Sequence, residues 1–430
     1  MRHASLLLIL SFAACDPAGP GKDLHAWDPN RVARSITSAD GDVGAVVDGN
    51  DAFTWDLYGQ LATGEENLFF SPISISAALG MTTAGAGGDT LTQMQDVLHL
   101  SIPAEQWHPA FGALIDDLNG DKLRGYRLEV ANRLFGQDGT AWAADFLATC
   151  NDDWHAPMQS VDFAGDPEGS RGVVNGWVSD QTQQHIPELI PQGVITPDTR
   201  LVLANAIYFL ADWWTQFDTT ETKAGSFTRL DGSTVTTDMM WLDLSKVEDS
   251  RVRSTEINGA AIVRMPYEDD EVAAYLVIPS AADGLLGLEA QLNQDTFREW
   301  VAPIEGAYSE DRDEEGMVAI PKLELRWKGS LVPALQALGM TDAFDPLLAD
   351  FSPMADGDAA SDYMISDVIH EAWVRVDEAG TEAAAATAVV ITDTAAPIPR
   401  IADHPFLIVV RDDLTGSLLF VARVMDPAAG

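Results

Sequence analysis

Few residue groupings in this 430-residue chain have the types and spacing that chemistry requires. His370-Glu371-Ala372-Trp373-Val374 sets an imidazole beside a carboxylate, but it lacks the second histidine of a zinc-binding helix. His370 could join a serine and an aspartate brought near by folding, because a nucleophilic triad is defined by geometry and not by sequence position. It lies, however, in the middle of a strand-like run, where a buried, hydrogen-bonded histidine is the expectation. There is no G-x-S-x-G nucleophile turn, no G-x-x-x-x-G-K phosphate loop and no G-x-G-x-x-G after a strand. The acidic clusters 268–271 and 310–315 each precede a strand-like run and read as solvated hairpin loops, not metal ligands. If Cys15 is used elsewhere, Cys150 alone can form neither an internal disulfide nor a zinc site. Enzymatic turnover and a bound cofactor both lack support.

The elements that must carry any function are mixed. Runs such as LVLANAIYFLADW, VAAYLVIP, YMISDVIHEAWVRVDE, HPFLIVVRD and SLLFVARVMDP are β-branched, aromatic and bounded by turns. Between them ADFLATCNDDW, NGWVSDQTQQHI, GLEAQLNQDTFREWV and SLVPALQALGM have helical spacing, and a helix is predicted to start near Pro72. Without a regular alternation of strand and helix, the class expected is α+β. With 46% hydrophobic residues and 12 tryptophans the chain can fill a large core. Its 67 acidic and 25 basic residues give a net charge of −42, which disfavours nucleic acid and anionic membrane surfaces as partners.

At the N-terminus, MRHASLLLILSFAAC has a basic start, a short apolar run and small residues before Cys15, the pattern of an export signal too short to span a bilayer. Small residues before cysteine also resemble a bacterial lipobox, with Phe12 an unusual residue at its place; lipidation of Cys15 would then anchor the chain, the only membrane association expected. Residues 1–15 are accordingly taken as signal, 16–48 as a flexible Gly/Pro/Asp/Ala-rich tether, and 49–430 as one domain.

One segment has no single best conformation. In Glu378-Ala379-Gly380-Thr381-Glu382 and the four alanines Ala383, Ala384, Ala385 and Ala386, strong helix formers precede Thr387 and the β-branched run Val389-Val390-Ile391. As a strand, residues 381–392 would put Thr381, Ala383, Ala385, Thr387, Val389 and Ile391 on one uncharged face, with Glu382 on the other. Such a strand could pass between two existing strands and be buried. Its small leading residues would lower the steric barrier, and Gly380 would supply a pivot.

Seven stretches, NLFFSPISISAALGMTTAGAGGDT, LEVANRLF, NGWVSDQTQQHI, LVLANAIYF, ALQALGMTDAF, ISDVIHEAWVRVDEAGTEAAAAT and HPFLIVVRDDLTGSLLFVARVMDP, resemble serpin signatures in order and spacing over roughly residues 50–427. The resemblance implies a single α+β domain of three β-sheets and eight or nine helices, with a reactive loop at about 378–400 and an inhibitory-type hinge. It implies an irreversible inhibitor of serine proteases, monomeric and without cofactor, that is cleaved as a bait. Insertion of about a dozen residues, each advancing roughly 3.3 Å, would drag an attached protease about 40 Å. Family spacing from Gly380 and from Pro405 places the scissile bond at Thr394-Ala395, with Asp393 as a rival. A small β-branched residue there suits the shallow pocket of elastase-like or subtilisin-like proteases. The resemblance makes Ser71, Ser74, Asn205 and His370 a buried shutter and Trp213 the breach where insertion begins. Leu210 and Ala211 depart from the family's lysine and glycine, which puts the usual polar contacts there in doubt. No basic helix face resembles a heparin site. Alternatives left open are cross-class inhibition of papain-like cysteine proteases and a non-inhibitory carrier, chaperone or substrate role; the latter would be expected to carry a bulky or charged residue at Thr381 or Ala383–Ala386.

Overall fold

The computed structural model describes residues 4–13, 41–119, 126–247, 249–305, 316–357, 363–381 and 399–429. Cys15, the loop residues Glu382 to Thr387, Asp393 and the bond Thr394-Ala395 lie outside the described residues, as does the acidic cluster 310–315. The described helices are α1 (Gly41–Leu61), α2 (Pro72–Thr83), α3 (Gly88–Val97), α4 (Ala104–Asn119), α5 (Ala144–Asp152), α6 (Pro167–Gln181), α7 (Leu285–Glu289), α8 (Gln294–Val301) and α9 (Val332–Leu338).

Helix α2 begins where the sequence places it. Ser71 has an extended backbone, its hydroxyl accepts from the Ser74 amide, and Pro72 takes the first helical position, where no amide is needed. All twelve of its residues are buried, so it is a core helix and not a surface one. Helix α1 starts earlier than expected. Residues 41–48, read as the end of a tether, form its first two turns, because Val43, Val46 and Val47 recur at helical spacing and are buried. The glycines among them obscure this pattern. At Gly49 the glycine is required: a Cβ would lie 2.8 Å from the His99 carbonyl oxygen.

The largest sheet contains β12 (Leu323–Ser330), β13 (Tyr363–Val376), β1 (Ala4–Ala13), β5 (Thr199–Asp212), β3 (Tyr126–Gln137) and β4 (Met158–Val161) in that order, with β14 (Gly380–Thr381) paired to β5. A six-stranded antiparallel sheet runs β2 (Leu68–Phe70), β17 (Leu418–Val424), β16 (Phe406–Asp412), β10 (Val272–Pro279), β9 (Ala260–Pro266), β8 (Arg253–Ile257). The third sheet runs β15 (Pro399–Ile401), β11 (Met317–Pro321), β7 (Thr234–Asp243), β6 (Lys223–Thr228). Helices and strands thus mix as an α+β fold. The acidic stretch 268–271 is the β9–β10 hairpin connection, as expected, with Asp269 and Asp270 at positive φ.

Strands β5, β10 and β17 are buried along nearly their whole length, in keeping with their largely apolar sequences and central places. Phe209 of β5 meets Phe420 of β17 at a tilted 41° across the space between the two larger sheets, and Phe420 stacks on Phe69 of β2. The N-terminal apolar run takes an unexpected place: Ala4–Ala13 is strand β1, parallel to both β5 and β13 and lying between them.

Candidate functional site

The site lies along the gap bounded by β5 and β13. At its upper end the chain leaves β13 and turns back. Asp377 donates its amide to the Gly380 carbonyl at 3.0 Å and its carboxylate accepts the Ala379 amide at 3.1 Å, closing a tight turn. The returning strand β14 pairs antiparallel with β5, Gly380 opposite Asp212 and Thr381 opposite Ala211. A Cβ on Gly380 would fall 2.2 Å from the Ala211 carbonyl oxygen, so only glycine permits this approach.

Side chains fix the turn from every side. The Trp213 amide donates to the Ala379 carbonyl (2.8 Å), its indole N–H to the Asp377 carbonyl (3.1 Å), and the Phe217 amide to the Glu378 carbonyl (2.8 Å). Trp213 stacks on Tyr267 at 4.5 Å and 9°. Thr381 is buried, and its hydroxyl hydrogen-bonds the Tyr267 hydroxyl at 2.7 Å. Glu378 accepts from Thr222 Oγ1 and from Lys322 Nζ, each at 2.8 Å. Burial opposes ionisation of Glu378, but these hydrogen bonds outweigh it and hold the carboxyl below its usual range.

Trp213, the residue expected at the breach, follows directly on β5 and packs against the hinge turn. Leu210 and Ala211, where lysine and glycine were expected, lie within β5, and Ala211 forms the backbone ladder with Thr381. Polar contacts at this end come instead from Tyr267, Thr222 and Lys322, none of which sequence reasoning singled out. Their nearest hinge partners lie 114, 156 and 56 residues away, a separation local patterns do not encode.

Further down the sheet, Ser71, Ser74, Asn205 and His370 come together as one buried cluster. The Ser71 amide donates to His370 Nε2 at 3.3 Å and the Ser71 hydroxyl to the Leu419 carbonyl at 2.8 Å. The Ser74 hydroxyl donates to Asn205 Oδ1, and Asn205 passes the chain to Asn132 Oδ1 at 2.8 Å. Asn132, in the quoted LEVANRLF stretch but given no role there, donates to the Trp154 carbonyl at 3.5 Å. The cluster thus links α2, β13, β5 and β3. Burial drives the His370 pKa down to about 3, so the imidazole is neutral and serves as an acceptor. Its Nδ1 has no hydrogen-bond partner among the described residues, so no carboxylate relay is assembled on it; it is a buried, hydrogen-bonded histidine, as its strand position implied.

Cys150 is buried, and burial raises its pKa, so it is an inert thiol. No group of three or more metal-ligating side chains occurs among the described residues.

Residues 48–427 match the family model described as Serpin (serine protease inhibitor). The chain is similar to the leukocyte elastase inhibitor of Xenopus tropicalis, 35% identical over 387 residues, 87% of this chain and 97% of that protein. It is similar to serpin B8 of Homo sapiens, 35% identical over 388 residues, 89% of this chain and 99% of that protein. Among solved structures, human glycosylated kallistatin matches with a TM-score of 0.77 and 26% identity, covering 90% of this chain and 99% of that one. Uncleaved ovalbumin also gives 0.77, at 23% identity and 89% and 100% coverage, a likeness of fold alone.

Proposed function

The chain belongs to the serpin family, and from that premise we propose that it is an irreversible suicide inhibitor of serine proteases. The protease's serine oxygen attacks the Thr394 carbonyl; the bond to the Ala395 nitrogen breaks, and the new amine leaves with a proton. An ester to Thr394 remains. The freed loop then enters the gap between β5 and β13, carrying the ester-linked protease away before water can complete hydrolysis.

The observation that carries this reading is the pairing of Gly380 and Thr381 with Asp212 and Ala211. It is the first rung of an antiparallel ladder that loop insertion would extend. The residues that would follow, Glu382 and then four alanines and Thr387, can enter with little steric cost. Elastase-like or subtilisin-like targets follow from the small residue at Thr394 and from the name of the leukocyte elastase inhibitors among the relatives. Export through residues 1–15, with Cys15 lipidated, belongs to the same proposal and rests on the N-terminal sequence.

Incubation of the chain lacking residues 1–15 with elastase, subtilisin, trypsin, chymotrypsin and papain tests it. A denaturant-resistant covalent adduct with elastase or subtilisin, and a released peptide beginning at Ala395, is the expected result. Cleavage without adduct would make the protein a substrate. An adduct with papain instead would favour cross-class inhibition.

A further inference from the structure

The gap that an inserting loop needs is held in this structure by the chain's own N-terminus. Strand β1 pairs with β13 from Ala4 opposite Tyr363 to Ser11 opposite Glu371, and with β5 from Ser5 opposite Thr199 to Ala13 opposite Tyr208. Strand β14 sets the register of any insertion, with Gly380 facing Asp212 and Thr381 facing Ala211. Continued down β5, that register would set Ala384 opposite Tyr208 and Asp393 opposite Thr199. These are the end positions of the β1 ladder on β5. Only Phe209 and Leu210 separate the two strands along β5. An inserted loop and the N-terminal segment would therefore compete for one set of backbone donors and acceptors, and a ladder position can serve only one of them.

We propose that residues 4–13 are an intramolecular plug for the insertion gap, so that the chain is inhibitory only when this segment is absent or displaced. The inference rests on the inhibitory reading of the loop. The segment suits a central, twice-paired strand: ASLLLILSFA carries no charge and no proline. Its hold is nonetheless imperfect. The pairing is parallel, which is slightly weaker per residue than the antiparallel ladder the loop would form, and register breaks occur on both sides, at Leu6/Leu7 and Ser5/Leu6. A plug of this kind would keep an uncut loop from entering the sheet while the segment is attached, and its loss would empty the gap.

The test uses the full 430-residue chain carrying Cys15→Ala, produced without export so that residues 1–15 are retained, and the same chain with Leu8→Pro. Proline cannot donate to the ladder and would expel β1. Amide hydrogen exchange in Leu201–Ala206 and Ile365–His370 reads occupancy directly, and adduct formation with elastase and subtilisin reads function. The parent chain should show protected amides and little adduct. Leu8→Pro should speed exchange at those amides by about tenfold or more, a shift readily resolved for local opening, and should raise adduct yield. Leu8→Asp should do the same, and unchanged exchange in α2 and β16 would show that neither variant has simply unfolded. Equal exchange in parent and variants would overturn the plug, as would an adduct that forms in equal yield from both. If exchange separates them while neither yields adduct with any protease, occupancy is upheld and the inhibitory reading falls instead.

Discussion

The upper and lower parts of the gap between β5 and β13 are filled differently. Above, β14 enters antiparallel and is secured by a charge pair, an aromatic stack and a hydroxyl pair: Lys322–Glu378, Trp213–Tyr267 and Thr381–Tyr267. Below, β1 runs parallel beside a cluster of neutral groups, Ser71, Ser74, Asn205, Asn132 and His370, that ties α2 to three strands. The upper contacts hold the turn at which the proposed insertion would start. The lower ones hold together the strands it would have to pass between. On that proposal initiation and passage would be controlled by chemically distinct groups, which substitution can separate.

The largest effect is expected at Thr381. Thr381→Arg would require an unpaired guanidinium beside Tyr267, and an uncompensated buried charge costs several kcal/mol. Cleavage by the target protease should persist while adduct yield falls by about two orders of magnitude, at ~1.4 kcal/mol per decade. Unchanged yield on denaturing gels would show that Thr381 is not buried during inhibition. Next, Glu378→Gln removes the charge facing Lys322. Because Lys322 is half exposed, the loss should be about 1–2 kcal/mol in denaturant unfolding, with earlier loosening of the hinge turn. Full retention of stability would place the turn's strength in its backbone bonds alone.

At the lower end, Asn205→Ala leaves Ser74 and Asn132 without their shared partner. Stability should fall by about 1–3 kcal/mol, measured by urea unfolding, without loss of the hinge contacts. At neutral pH the smallest difference is expected at His370, whose effect emerges as a pH slope. His370 has a folded pKa of about 3 against roughly 6.5 unfolded, so the unfolded chain binds the extra proton between those values. Its contribution is complete above about pH 6.5 and declines as pH falls, by up to about 1.4 kcal/mol per unit. His370→Asn should flatten the stability profile in that window. His108, also lowered by burial to about 4, slopes the same way, and Asp51, raised by burial to about 7, slopes oppositely. Both persist in the variant, so the difference between profiles isolates His370.

Much of this arrangement is legible in the sequence. Strands β5 and β13 announce themselves through long β-branched and aromatic runs, and Ser71-Pro72 marks the start of α2. Gly380 and Thr381, expected in the hinge, pair with β5, and Ser71, Ser74, Asn205 and His370, expected in the shutter, lie in one hydrogen-bonded cluster. What escaped was encoded elsewhere. The first turns of α1 hid behind glycines whose helical valines count only once packed. Helix α4 carries Trp107, Phe111, Leu114, Ile115 and Leu118 at helical spacing, but Pro109 interrupts the pattern. Tyr267, Thr222 and Lys322 act on the hinge through tertiary proximity alone. For ASLLLILSFA, an apolar run without charge satisfies an export signal and a central strand equally, and periodicity cannot separate the two.

Stored free energy in the intact fold is the central claim, and thermal unfolding before and after a single cut in the loop measures it most directly. On a chain starting at Cys15, with the gap free, cutting should raise the unfolding temperature substantially, because the severed loop gains a full ladder against β5 and β13. An unfolding temperature that stays the same or falls after the cut would contradict the account.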